Sequence, residues 1–270
     1  PGLVSLVTKG LNLGIDFTGG SIVQVKMESS IESGQVHSVL NEIGLERADV
    51  SKSGSEFLIR TTELDQEQTR EMLDALKGEF KNVEFLGAES VGASIGKELT
   101  SKAILAVTIA ALAMLIYISL RFEWSFGVSA VIGEIHDVLF VLGIFSIFQW
   151  ELDGAFIAAI LTIVGYSIND TIVVFDRVRE NTRRLGRKMS LPELVDLSIN
   201  QSITRTLNTS LTTIFSIAAL YFLGVESIKD FTLPILVGLM CGTYSSVFIA
   251  SPLWAAWDER SKQKKLATAK

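Results

Sequence analysis

The sequence predicts a membrane α-helical bundle of five spans with an α+β, ferredoxin-like domain outside the membrane. Three observations lead there. From Ala103 onward five long apolar stretches follow one another with charges confined between them, the signature of membrane-crossing helices. Ahead of them, residues 10–98 hold 8 Lys and Arg against 16 Asp and Glu, the composition of an acidic soluble domain. Within that domain the periodicities run β-α-β-β-α-β, the split βαβ arrangement. The overall 48% of hydrophobic residues averages over these two populations and describes neither.

The soluble domain reads in order. The turn-rich Asp16-Phe17-Thr18-Gly19-Gly20 precedes a β-branched run of strand length at 21–28. Asp before Thr-Gly-Gly suits a turn or hinge, so Asp16, Gly19 and Gly20 are expected to shape the chain there; Asp16 as a proton-relay member is the alternative. Val36, Val39, Leu40 and Ile43 recur at helical spacing over 31–43. Residues 47–53 and 56–61 are short strands joined at Gly54-Ser55, a hairpin signal. Leu64, Met72, Leu73 and Leu76 mark a second helix over 64–80, and 82–86 is a last strand. Gly87, Gly92 and Gly96 then punctuate an expected linker and hinge. Gly92–Lys97 imitates a phosphate loop faintly, but the spacing is short and Glu98 stands where Ser or Thr is required, so ATP binding is rejected.

The candidate spans are Ala103–Leu120, Ser125–Trp150, Leu152–Phe175, Ile203–Leu223 and Phe231–Trp257. Each meets the requirement of roughly 20 residues for crossing the hydrocarbon. The link from Asp176 to Arg205 carries Arg177, Arg179, Arg183, Arg184, Arg187, Lys188 and Arg205, and the tail carries Arg260, Lys262, Lys264, Lys265 and Lys270. Positive residues mark the cytoplasmic side, and the basic link is expected to lie against anionic lipid. The tail is then inside and the soluble domain outside. An outer domain needs delivery, and the chain opens without an initiator Met or a signal peptide. The expected organisation is therefore 1–9 as the outer end of a helix whose remainder lies upstream, 10–98 as the outer domain with a glycine-rich linker, 99–257 as the membrane domain and 258–270 as a basic cytoplasmic tail.

The chemistry-bearing residues lie in the spans. Asp170 sits in an apolar run that continues to Phe175, where a carboxylate costs a few kcal/mol or more unless paired, hydrated or protonated. It stands about five residues, roughly 8 Å, from the cytoplasmic end of its span, and Arg205 enters the next span at a comparable depth. The expectation is an Asp170–Arg205 pair, either a static salt bridge fixing helix register or a titrating pair. Arg205, Asn208, Thr209, Thr212 and Ser216 form a polar stripe on that helix, opposite Leu207, Leu211, Ile214 and Ala218. Glu134 and Asp137, three apart, share a face, with His136 beside them. Asn169, Glu134 and Thr209 are possible supports of the relay. The helix carrying Ile203–Leu223 is expected to open at Ser190-Leu191-Pro192-Glu193, a capping box with an early proline. Gly238 and Gly242 form a GxxxG step for close helix packing. The single cysteine, Cys241, excludes an intrachain disulfide, and His37 and His136 stand far apart, so no zinc site and no cofactor are expected. No nucleophile elbow, metal cluster or cofactor fingerprint marks an enzyme.

Several stretches resemble the SecF family of bacterial protein export. They are Gly14–Gly20, Arg121-Phe122-Glu123-Trp124, His136-Asp137-Val138, Gly165–Val174 and Arg205-Thr206-Leu207, and the long run from Gly165 to Asn181 is the most specific. The resemblance implies a resistance-nodulation-division type membrane fold in the cell inner membrane, with a periplasmic domain between the first two helices. It implies a SecD-like partner half, separate or fused, the SecYEG channel, YajC and exported unfolded polypeptide as partners, beside membrane lipid and without nucleic acid. It also implies that the transported ion, H⁺ or in some relatives Na⁺, drives export. By position Asp170 and Arg205 match the family's ion-path residues, and Asp137 its His-Asp pair. Two departures stand out: the family's first helix is missing, as in a truncation or a cut from a fused SecD–SecF chain, and Glu134 is an added acid. The alternative function is small-molecule or lipid export within the same superfamily. A third possibility is a structural assembly factor whose charges only hold helices together.

Overall fold

The computed structural model describes residues 1–186 and 188–268, without the side chains of Glu226, Ser227 and 261–268. Arg187 and Lys270, and the side chains of Lys262, Lys264 and Lys265, lie outside the described residues. The chain opens with α1 (Gly2–Thr8), β1 (Asn12–Leu13) and a single-turn α2 (Ile15–Thr18). Then come β2 (Gly20–Lys26), α3 (Ser33–Glu42), β3 (Asp49–Ser53), β4 (Glu56–Thr61), α4 (Gln66–Glu79) and β5 (Glu84–Val91). The long helices are α5 (Ala93–Arg121), α6 (Trp124–Phe148), α7 (Gly154–Leu185), α8 (Leu191–Leu223) and α9 (Glu226–Ser245), with the two-residue β6 (Glu151–Leu152) before α7. A π-helical turn (Ser246–Ala250) leads from α9 into α10 (Ser251–Thr268). The chain divides into two compact units, 13–103 and 1–12 with 104–270.

The smaller unit is an antiparallel sheet in the order β3-β4-β2-β5. That order, with two helices returning over one face, is the ferredoxin-like arrangement expected from the element sequence. Alternation along β2 buries Val23 and Val25, β4 adds Phe57 and Ile59, and the helices add Val36, Leu40, Met72 and Leu76. Capping is local: Asp65 accepts the Gln68 amide at 2.8 Å while the Gln68 side chain accepts the Asp65 amide at 3.0 Å. Leu76 is fully buried, so Leu76→Ala is expected to cost this domain about 2–5 kcal/mol. Hydrogen exchange of the β2 and β4 amides in the intact protein checks it; the expected acceleration is on the order of a hundredfold.

Two expectations change here. The last strand is longer than 82–86 and runs through Gly87, with a register shift between Gln24 and Val25 that leaves Leu86 as the extra residue. The glycine-rich linker is absent, because Gly92 alone separates β5 from α5. Gly96 lies in the first turn of α5, where an added Cβ would come within 3.0 Å of the Phe17 carbonyl oxygen. That glycine serves close packing rather than a hinge.

Among the described residues five helical segments are long and apolar enough to cross a membrane, the first being Ala93–Arg121 and the last Ile228–Arg260. The α5 helix exposes Ile104, Leu105, Ile109, Leu112 and Ile116, as a lipid-facing helix does. The expected glycine step packs α9 on α7: an added Cβ at Gly238 would collide with Ile163, and one at Gly242 would lie 2.8 Å from the Ser167 Cβ. Phe126 stacks on Trp254 with centroids 4.2 Å apart and meets Phe175 edge-on, joining α6, α10 and α7. The basic link is largely helical rather than a loop. The α7 helix continues to Leu185, its late residues paired as Arg177–Glu180 and Arg184–Glu180 at 2.8 and 3.0 Å. Bases in a last helical turn also complement the helix dipole. Ser190 opens α8 in the expected capping box with Glu193.

Candidate functional site in the membrane helices

Asp137 is fully buried at a meeting point of three helices. Its Oδ2 accepts the Ser167 hydroxyl of α7 at 2.9 Å and the Ser245 hydroxyl of α9 at 2.7 Å. Its Oδ1 accepts the Cys241 thiol at 3.3 Å and stands 3.1 Å from His136 Nδ1. A carboxylate in an apolar bundle is tolerable when its lone pairs are met this way. Glu134 is 5% exposed, and its Oε2 has no hydrogen-bond partner. Glu134 lies one turn before Asp137 on the same face of α6. His136, Asp137 and Cys241 bring ligand atoms within 4.8 Å of one another, against the expectation that no metal-capable cluster exists. Sequence distance hid it, since α9 lies more than 100 positions beyond α6.

Asp170 is 2% exposed and accepts one hydrogen bond, from Ser210 of α8 at 2.9 Å. The expected Asp170–Arg205 pair is not formed. Arg205 is exposed, and α8 turns Ser210 to the bundle instead. The two residues are five positions apart, about 140° around the helix. The buried face of α8 is Ser198, Ser202, Thr206 and Ser210, while Leu207 and Leu211 are exposed beside the polar stripe. Small hydroxyl residues let helix backbones approach and bond across helices, so they win the interface over leucine when the outside is lipid. Their spacing of four was the available signal.

The supporting residues divide. Asn169 is exposed, away from Asp170's partner, and so does not line this pocket. Thr209 is half-buried; its hydroxyl bonds the Arg205 carbonyl and its own carbonyl accepts Tyr166 Oη at 2.8 Å. Thr171 and Ser246 hydroxyls meet at 2.8 Å, and Ser246 also reaches the Ser167 carbonyl at 3.4 Å. The Ser167, Ser246 and Thr171 hydroxyls thus cluster between α7 and the turn after α9, beside the Asp137 pocket, and among the described residues no hydrogen bond carries them on to Asp170.

Asp16, Gly19 and Gly20 lie in the other unit. Asp16 sits in the first turn of α2, and Gly19 caps that turn with φ 72°. Gly20 opens β2 with φ 134°, where an added Cβ would lie 2.6 Å from the Thr61 carbonyl oxygen. Both positions require glycine.

Among the described residues, five helices long and apolar enough to cross a membrane, four of them (α6–α9) packed around buried carboxylates, with a small α+β domain ahead of them in sequence, define a multi-pass membrane protein. Residues 71–260 match the family described as "Protein export membrane protein SecD/SecF, C-terminal", and residues 4–31, with Gly19 and Gly20, match the "SecD/SecF GG Motif". The chain belongs to the SecF branch of that protein-export family. It is 43% identical to the protein translocase subunit SecF of Sebaldella termitidis, over 93% of this chain and 83% of the relative. To the Haemophilus influenzae subunit it is also 43% identical, over 92% of this chain and 77% of the relative. The crystal structure of SecDF from Thermus thermophilus, a translocon-associated membrane protein, superposes with a TM-score of 0.87 at 41% identity. The superposition covers 96% of this chain, which spans 36% of that one.

Proposed function

We propose that the chain is a non-enzymatic, ion-gradient-driven accessory subunit of the Sec protein translocase in the bacterial inner membrane. Protons passing Asp170 drive motion of a periplasmic domain that promotes export of unfolded polypeptide. The observation that carries this reading is Asp170 itself: buried at membrane depth, bonded by one serine, and without an ion pair among the described residues. A carboxylate so placed binds a cation or loses its charge, and a proton does both. One charge crossing the membrane is worth about 2.3 kcal/mol per 100 mV, enough to bias a two-state element. Arg205, Asn208, Thr212 and Ser216 are exposed on the side away from the bundle, where lipid is a costly neighbour. That face suits a SecD-like half, and relatives named SecDF from Thermus thermophilus and Bacillus subtilis are single chains of which this one matches 36%. Cytoplasmic placement of the tail follows the basic residues.

The test is export of a secretory protein into inverted vesicles carrying this chain with its SecD-like partner and the SecYEG channel. Collapsing the proton gradient with an ionophore is expected to slow completion of export several-fold. Slowing on sodium removal alone transfers the role to Na⁺. Indifference to both gradients rejects ion coupling.

A further inference from the structure

Three side chains of different chemistry meet in the bundle although 104 positions separate Asp137 from Cys241. His136 Nδ1 and Cys241 Sγ lie 3.1 and 3.3 Å from Asp137 Oδ1 and 3.9 Å from each other. Nitrogen, oxygen and sulfur bound at about 2.0–2.3 Å to a tetrahedral zinc ion lie roughly 3.3–3.8 Å apart. The triangle's edges therefore come within about 0.2 Å of the span expected for three corners of such a site. Glu134, one turn earlier on the same face, is the candidate for the fourth corner. It is 5% exposed and its Oε2 has no hydrogen-bond partner.

Charge points the same way. Among the described residues neither Asp137 nor Glu134 forms an ion pair with Lys or Arg, and His136 is the one basic side chain at the pocket. A divalent cation neutralises two carboxylates together. The mixed N, O and S set selects a borderline-soft ion over magnesium or calcium, which take oxygen. The His136 side chain is 38% exposed and supplies an entry.

We propose that His136, Asp137, Cys241 and Glu134 form a binding site for a divalent transition ion of the zinc class. On binding, the Cys241 thiol, which now donates to Asp137, gives its proton to water, and neutral His136 offers the Nδ1 lone pair. The ion then ties α6 to α9. It also removes Asp137 from the polar pocket, a consequence for export that rests on the ion-coupling reading; the binding itself does not.

Cobalt(II) tests the site in the purified full-length chain, held in detergent with lipid. Cys241 is the one cysteine, so a thiolate-to-cobalt charge-transfer band reports on this site alone. The expected result is one equivalent of cobalt producing the band, displacement by zinc, and release of at least one proton per ion. Cys241→Ser, checked for folding by helicity and monodispersity, loses the band. His136→Asn and Glu134→Gln each weaken affinity at least tenfold. Absence of the band in folded wild type overturns the proposal, as does unchanged affinity in both His136→Asn and Glu134→Gln. In vesicles, zinc is expected to lower gradient-driven export in wild type more than in Cys241→Ser. A cobalt band without any zinc effect on export leaves the site standing and excludes Asp137 from the ion path.

Discussion

Asp170→Asn is expected to abolish the response of export to the proton gradient while the chain still assembles with its partner. Asparagine keeps the shape of the side chain and a bond to Ser210, so the α7–α8 contact survives. It has no proton to take up or release, so no ion step passes through it. Two comparisons separate titration from packing. Ser210→Ala removes a hydrogen bond worth about 0.5–1.5 kcal/mol but leaves a carboxyl, so the gradient response is retained. Arg205→Met alters no contact of the bundle's buried face, since Arg205 is exposed, yet is expected to weaken the response by acting on the partner-facing side. The measurement is export into inverted vesicles with and without an ionophore, alongside co-purification with the SecD-like half. An Asn variant that assembles and responds as wild type makes Asp170 a structural residue.

The second large effect is expected at the paired glycines. Gly20 combines φ 134° with a position 2.6 Å from the Thr61 carbonyl oxygen for any added Cβ. A strained backbone residue costs about 1–3 kcal/mol, and a steric intrusion a further 1–3. Gly20→Val is therefore expected to remove about 2–6 kcal/mol from a domain of about 5–15 kcal/mol total stability. Gly19→Ala acts in the same direction, because its Cβ would lie 2.8 Å from the Ala93 Cα at φ 72°. Gly34→Ala, in α3 with open space around it, is the control and is expected to stay within about half a kcal/mol. Limited proteolysis of the α+β domain in the intact protein reads the difference. Equal resistance of the Gly20 and Gly34 variants would show that the domain relaxes around the added side chain.

Local chemistry carried far in this chain. The capping box at Ser190, the turn at Gly54-Ser55 and the β-α-β-β-α-β order are each written in a few neighbouring residues, and each occurs where expected. The glycine step on α9 was legible for the same reason, since small residues four apart have little purpose but close approach. The linker after β5 was misread because glycine also serves a close approach, as Gly96 does beneath Phe17.

The membrane site divides along a physical line. Depth along a span follows from sequence, because each helical residue advances about 1.5 Å, and so Asp170 and Arg205 were placed at comparable levels. Azimuth does not follow. In water a hydrophobic stripe points to the core, but lipid is as apolar as a helix interface, so periodicity no longer tells inside from outside. On α8 Leu207 and Leu211 face out and Ser202, Thr206 and Ser210 face in, which gave Asp170 a serine and left Arg205 on the outer face. The sequence by itself determined the spans, the α+β domain's fold and which acids lie within the apolar helices. Only the packing of α6, α7, α8 and α9 decided which hydroxyls meet those acids, and that Cys241 and His136 share Asp137, because such pairings depend on the rotation of whole helices about their axes.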